Sequence, residues 1–269
     1  MKKTTGKFKD NLLGLLLPVI ILFIWFMATE RSAAPNYVLP SPKEFAIVFW
    51  DFIVGGIDAS PYSGKMTENL IISAVRVGKG FFLAGVLGIT LGFLTGRISF
   101  LKKFTDPTVQ ALRSVPGIGY LPLGMVWFGV GEENTLFLIA LAAFFPVYLN
   151  TQEGAAKVPE IYLRAGKMLG ANRFTLFFTI ILPMSFGDIL VGLRLALGIS
   201  WAYLVLGEMT GVTKGIGAIM MDGRMLGHVD IVIACMVVIA IAGKLCDWIL
   251  NGICRICFRG LMEGTLDAR

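Results

Sequence analysis

A chain of 269 residues that is 56% hydrophobic and only 16% charged, with a mean hydropathy of +0.76, carries more apolar side chain than a soluble domain of that size can bury. The composition therefore specifies an integral membrane protein. The net charge of +6 does not indicate a nucleic-acid partner, because the cations flank apolar runs instead of gathering with stacking aromatics on one face; they orient the chain in a bilayer.

In chain order, a basic tail over residues 1–10 precedes a first expected span at 11–29. That run is long for the core of a signal peptide, and Ser32-Ala33-Ala34-Pro35 is a poor cleavage site, so it is expected to be a retained anchor. Residues 30–67 are mixed and polar, with one amphipathic piece at 42–57 in which Phe45, Val48, Phe49, Phe52 and Ile53 recur at helical spacing. This predicts an interfacial helix on the outer surface. The second span, 68–96, repeats Gly88, Gly92 and Gly96 every four residues, a smooth face for close helix approach. Arg76 and Lys79 near its start are expected to snorkel to the interface. A basic loop is expected at 97–103. The third span, 106–129, is interrupted by Pro116, Gly117, Gly119 and Pro122, and such breaks are tolerated only where protein or a water-filled cavity covers the freed backbone groups. It is therefore expected to face the interior. After a turn at 129–134 comes a short fourth span, 135–150.

Residues 158–183 carry the most specific pattern of the chain. Pro159 and Glu160 suit a helix start, Gly170 a left-handed stop and Asn172 a second N-cap. Pro183 is expected to end or kink that second helix after Leu182. On spacing alone this is a helical hairpin at the membrane surface. The fifth span, 184–206, holds Asp188 and Arg194, which lie about 240° apart around a helix and so each require another partner. A polar loop follows at 207–230, with helical potential at 216–223, and then a sixth span at 231–253 with Lys244 and Asp247 towards its inner end. Six spans leave both termini on one side. Lys and Arg concentrate in the tails, the 97–103 loop and residues 158–183, which makes these cytoplasmic.

Chemistry is sparse. The sequence has no phosphate-binding G-x-x-x-x-G-K-[ST], no H-E-x-x-H and no G-x-S-x-G, and His228 is its one histidine. Neither a catalytic set nor a metal site is expected. The cysteines Cys235, Cys246, Cys254 and Cys257 read as small apolar helix residues, with no disulfide expected. Spans with so few acids and no evident inverted repeat do not suggest a proton-driven carrier, so a transporter of this sequence needs an outside energy source.

Residues 158–183 resemble the cytoplasmic loop of ABC-importer permeases, in which E-A-A, three residues and a Gly precede I-x-L-P. Gly170 takes the Gly and Ile180-Ile181-Leu182-Pro183 the end. Arg164-Ala165-Gly166 stands where E-A-A is expected, so the frame is kept while the acid and the second Ala are replaced. Further pieces resemble the nitrate, taurine, aliphatic sulfonate and bicarbonate group: Leu39-Pro40-Ser41-Pro42, Ser73-Ala74-Val75-Arg76-Val77, Asp106-Pro107, Arg113-Ser114-Val115-Pro116, Leu121-Pro122-Leu123, Trp127-Phe128-Gly129 and Gly192-Leu193-Arg194 through to Glu208.

The resemblance implies an all-α, six-span type I importer permease, one domain over 1–269, in a bacterial plasma membrane. It implies a second permease copy, two ATPase subunits holding ATP and Mg, and an external binding protein; no cofactor is expected on this chain. A coupling helix before Gly170 would seat Arg164, Ala165, Gly166, Met168, Leu169, Gly170 and Ala171 in an ATPase groove, with Leu182 and Pro183 closing the motif. Candidates for the solute path are Ser114, Pro116, Gly117, Arg194, Trp201, Tyr203 and Glu208. For Arg194 two readings stand: positive potential along an anion path, or a side chain that snorkels or bonds backbone carbonyls. A stand-alone channel or secondary carrier, or a permease for another small organic solute, is the alternative.

Overall fold

The computed structural model describes the backbone over residues 3–30, 38–57 and 60–257. The Ser32–Pro35 segment, the tail beyond 257 and the side chains of the first fifteen residues and of residues 255–257, Cys257 among them, lie outside the described residues. Two compact units are distinguished, one drawn from Met1–Glu68 and Ile219–Val237, the other from Asn69–Ala218 and Val238–Arg269.

The first unit holds α1 (Lys3–Glu30) and α2 (Pro42–Val54). Ser41 starts α2 with a reciprocal cap: its Oγ accepts from the Glu44 N–H at 3.2 Å while Glu44 Oε2 accepts from the Ser41 N–H at 3.1 Å. Trp25 of α1 donates to the Pro40 carbonyl at 3.0 Å and meets the Phe45 ring edge-on. The buried Asp51 then ties down the following loop, accepting from Ile57 N–H and Ser63 Oγ at 2.9 Å each.

In the second unit α3 (Met66–Arg97), α4 (Ser99–Ser114), a 3-10 turn (Gly117–Gly119), α5 (Tyr120–Phe128) and α6 (Glu132–Lys157) follow one another. Then come α7 (Glu160–Met168), α8 (Arg173–Leu176), a π segment (Phe177–Ile181) and α9 (Leu182–Glu208); of the two last helices, α10 (Ile216–Leu226) belongs mostly to the first unit, and α11 (Val229–Cys257) runs from the first unit into the second. Four described stretches are long and apolar enough to cross a membrane: Met66–Arg97, Glu132–Lys157, Arg173–Glu208 and Val229–Cys254. Leu16–Glu30 and Gly117–Phe128 are shorter apolar helices.

Glycine sets how these helices meet. Along α3, a Cβ on Gly88 would lie 2.9 Å from Val147 Cβ, on Gly92 2.7 Å from Thr151 Cβ, and on Gly96 2.6 Å from the Gln152 carbonyl oxygen. The stripe seen in the sequence is therefore the seat of α6, and Gly80 extends it to Ile139. On its other side α6 meets α9 the same way, through Gly192 against Asn150 and Gly207 against Thr135. Backbones that approach so closely gain dispersion contacts that longer side chains would hold apart. Buried layers stack along this seam: Val77, Ile139, Leu197 and Trp201; then Ala84, Ala143, Val147 and Ala196; then Phe93, Ala155 and Ile189.

Several expectations need correction. The basic loop at 97–103 is mostly helix, since α4 begins at Ser99 directly after an extended Ile98; Lys102 and Lys103 stand on a helix with exposed Phe100 and Phe104 beside them. The 106–129 span is not one helix. Pro116 disfavours helical backbone at Val115, which is extended at φ −71°, ψ 123°, and the chain restarts through the 3-10 turn. The fourth span, 135–150, is expected to be extended by its flanking polar residues, and α6 runs over Glu132–Lys157. Pro183 does not stop its helix. The π segment just before it widens the ladder where the proline N–H is missing, so helix continues from Arg173 to Glu208.

Replacing Gly92 with Ala should lower the unfolding temperature of the detergent-solubilised protein, by an overpacking cost of about 1–3 kcal/mol. Gly198→Ala, where a Cβ would meet nothing within 4 Å, should be neutral or mildly stabilising by the same thermal scan.

Candidate functional site: an exposed tip, a cavity and a buried lock

The tip is built by α7 and α8. Gly170 sits at φ +82°, the left-handed turn that glycine adopts without penalty. Its N–H donates to the Lys167 carbonyl and the Ala171 N–H to the Gly166 carbonyl, both at 3.0 Å, a Schellman closure of α7. Asn172 then opens α8, its Oδ1 accepting from the Thr175 N–H at 2.8 Å. Beneath the corner, Leu163, Gly166 and Leu176 are buried, and a Cβ on Gly166 would lie 2.5 Å from Leu176 Cδ2. Glycine in place of the expected second Ala thus lets α7 lie directly on the next helix.

Above the corner the chemistry reverses. Met168 and Leu169 are each 88% exposed, and Phe174 is exposed too, among the cations Arg164, Lys167 and Arg173. Arg164 bonds Glu160 one turn back at 2.9 Å; exposed on both sides, that pair contributes only a few tenths of a kcal/mol. Ala165 and Ala171 flank the corner, and Leu182 and Pro183 lie half-buried further along the same helical rod.

A cavity of about 480 Å³ opens beside the α4–α5 break, lined there by Arg113, Val115, Gly117 and Tyr120 and across from it by α6 and α9, including Asn150, Glu153 and Tyr203. Gly117 is required here, because a Cβ would run into the Tyr203 hydroxyl. Of the residues expected on the path, Gly117 and Tyr203 border this cavity. Ser114 and Pro116 stand in the break beside it, the Ser114 hydroxyl donating to the Ala111 carbonyl at 2.7 Å.

The remaining three lie elsewhere. Trp201 is 3% exposed in the α3–α6–α9 core, and Arg194 makes a bidentate pair with Asp247 of α11 at 2.8 and 3.0 Å. That pair gives the Arg194 guanidinium a carboxylate partner in place of backbone carbonyls. Asp188, the other charge on α9, takes Lys157 at 3.3 Å. Glu208, 1% exposed, belongs to a polar lock. Its carboxylate accepts from Arg76 at 2.8 Å, from the Ser73 hydroxyl and, at 2.8 Å, from the Gly217 N–H. Arg76 also donates to the Lys214 carbonyl at 2.6 Å, and Asn69 accepts from the Gly215 N–H. Arg76 is buried in this lock and does not snorkel. The loop after α9 is thereby pinned to α3.

The description "binding-protein-dependent transport system inner membrane component" matches residues 85–256. The chain belongs to this permease family. It is similar to the putative aliphatic sulfonates transport permease protein of Bacillus subtilis (strain 168), 36% identical over 87% of this chain and 82% of that one. The taurine transport system permease protein of Escherichia coli (strain K12) is 32% identical over 86% and 82%. The nitrate import permease protein of a Synechocystis species is 29% identical over 85% and 82%. In fold the permease resembles a chain of the MetNI methionine ABC transporter in an inward-facing conformation, at TM-score 0.59 and 15% identity, over 73% of this chain and 99% of that one. The permease thus has the type I importer fold and is a transport component, not an enzyme.

Sequence reasoning missed Arg113, Tyr120 and Asn150 on the cavity and Arg76 in the lock. Arg113 and Arg76 each stood in a quoted motif, but nothing local marks what a side chain will face across a bundle. For the permease, Glu208→Ala should cost about 3 kcal/mol of stability, because the buried Arg76 guanidinium loses its close carboxylate and keeps only the Lys214 carbonyl and Glu132 at 3.9 Å. The double variant Arg76→Leu with Glu208→Leu should recover much of that loss, which thermal unfolding in nanodiscs reads directly.

Proposed function

We propose that this permease, paired with a second copy, forms the translocation path of an ATP-driven importer for a small anion such as a sulfonate, taurine, nitrate or bicarbonate. An external binding protein delivers the solute. Two separate ATPase subunits, holding ATP and Mg, dock on the tip. The chain crosses a bacterial plasma membrane six times with both termini in the cytoplasm. The names of the sulfonate, taurine and nitrate relatives support the solute class, and the placement of Lys and Arg supports the orientation.

One observation carries the reading: two adjacent apolar side chains, Met168 and Leu169, stand almost fully exposed on a rigid corner. Arg173–Glu208 is 36 residues long, about 54 Å at helical rise, against roughly 30 Å of hydrocarbon. The rod is thus longer than the hydrocarbon, and the cations Arg164, Lys167 and Arg173 favour placing the surplus at the tip, in water, where exposed Met and Leu need a protein partner. Because α7 rests on Leu176 and Ile180 through Gly166, a displacement of the tip is passed to the long helix as a lever.

In the co-purified complex, Gly170→Glu should abolish binding-protein-stimulated ATP hydrolysis while membrane insertion persists. Leu169→Asp, at ordinary backbone geometry (φ −82°), should do the same without straining the turn. Normal stimulation in both variants would overturn the docking role. Transport by the purified chain without an ATPase would favour a channel or carrier, and no ATPase response to any sulfonate, nitrate or bicarbonate would overturn the solute class.

A further inference from the structure

We propose that the cavity beside the α4–α5 break holds a small organic oxyanion during transport, with Arg113 taking the charged end and the α6–α9 wall a short hydrocarbon body. This rests on the importer reading above and narrows its solute class.

Charge accounting singles out Arg113. The arginines of α3 and α9 are committed: Arg76 to Glu208, Arg97 to the Ala155 and Val158 carbonyls, Arg194 to Asp247. Arg113 lines the cavity and makes no hydrogen bond or ion pair among the described residues. A guanidinium offers a planar fork of N–H donors that matches two oxygens of a sulfonate or carboxylate. The Tyr203 hydroxyl, also without a partner among the described residues, supplies a further donor on the same cavity. The acid of the lining, Glu153, is engaged by Lys157 at 3.1 Å, and Asn150 Nδ2 by the Pro146 carbonyl at 2.8 Å. Neither blocks an anion at Arg113.

The rest of the wall is apolar: Leu141, Ala142, Phe145, Leu149, Leu195 and Ile199. A bare nitrate or bicarbonate, on the order of 50 Å³ and less than twice a water's share of liquid volume, would leave most of about 480 Å³ to water against hydrocarbon. An alkyl body uses that wall, and each methylene it buries strengthens binding roughly fourfold.

The test reconstitutes the whole importer in proteoliposomes and follows uptake of labelled methanesulfonate, butanesulfonate and nitrate, with ATP hydrolysis recorded in parallel. Wild type should take up butanesulfonate in preference to nitrate. Arg113→Gln should cut sulfonate uptake at least tenfold with assembly and basal ATP hydrolysis unchanged, and Arg113→Lys should restore a substantial part. Ala142→Leu, which fills the apolar side, should lower the butanesulfonate-to-methanesulfonate ratio severalfold, and it decides the matter if Arg113→Gln fails to assemble. An unchanged ratio, undiminished uptake in an assembled Arg113→Gln complex, or a preference for nitrate would each overturn the proposal while leaving an ATP-driven importer intact. Absence of ATP-dependent uptake of every anion in wild type would instead overturn the importer reading itself. If Arg113 only caps the last turn of α4, its variants lose stability and leave solute selectivity as it was.

Discussion

Everything in the second unit depends on how closely α6 is approached from two sides. Small residues on α3 and α9 let backbones come near enough that a single added methyl would strike Val147, Thr151 or Asn150. Within a bilayer there is little hydrophobic gain from joining two apolar helices, because lipid is as apolar as leucine; what holds them is contact density. The charged pairs Lys157–Asp188 and Arg194–Asp247 then fix which faces meet, α6 to α9 and α9 to α11.

On that frame one helical rod carries three different jobs. Arg173–Glu208 begins at the tip, passes the cavity at Leu195, Ile199 and Tyr203, and ends in the carboxylate that pins the loop after it to α3. A push at one end therefore reaches residues that border the cavity through continuous backbone, while the far end is held by buried hydrogen bonds. The π segment Phe177–Ile181 is the one irregularity along the rod. It is itself packed, with Phe177 and Ile181 against the cluster of Phe93, Ala155 and Ile189, so the tip joins the α6–α9 seam through a filled contact.

What could be read from the sequence was what local rules govern. The Gly88, Gly92 and Gly96 stripe, the Gly170 stop and the Asn172 cap follow from backbone sterics and capping within a few residues. Pro116 correctly marked a break, though not that residues 99–114 would form a separate amphipathic helix. The misses are long-range. Arg76 and Glu208 are 132 positions apart, and each alone looks like a stray charge near a span end. Trp201 is a path candidate as an aromatic that needs a non-lipid environment, and the protein core supplies that environment instead, its ring packing beside Val77 and Leu197. Which face of α9 turns to the cavity is decided by Gly192 and Gly207 meeting α6, and that pairing cannot be seen in one strand of sequence.

The exchange of an acid for Arg164 has a reach beyond the tip. With Glu160 closing on it inside the same helix, the corner presents Arg164, Lys167 and Arg173 around Met168 and Leu169, a cationic collar on an apolar plug. A motor subunit evolved to meet an acidic collar would bring like charge against it, a mismatch that discriminates between otherwise similar grooves. A groove that fits this corner needs an apolar floor with an acidic rim, and one with a basic rim is held off by like charge.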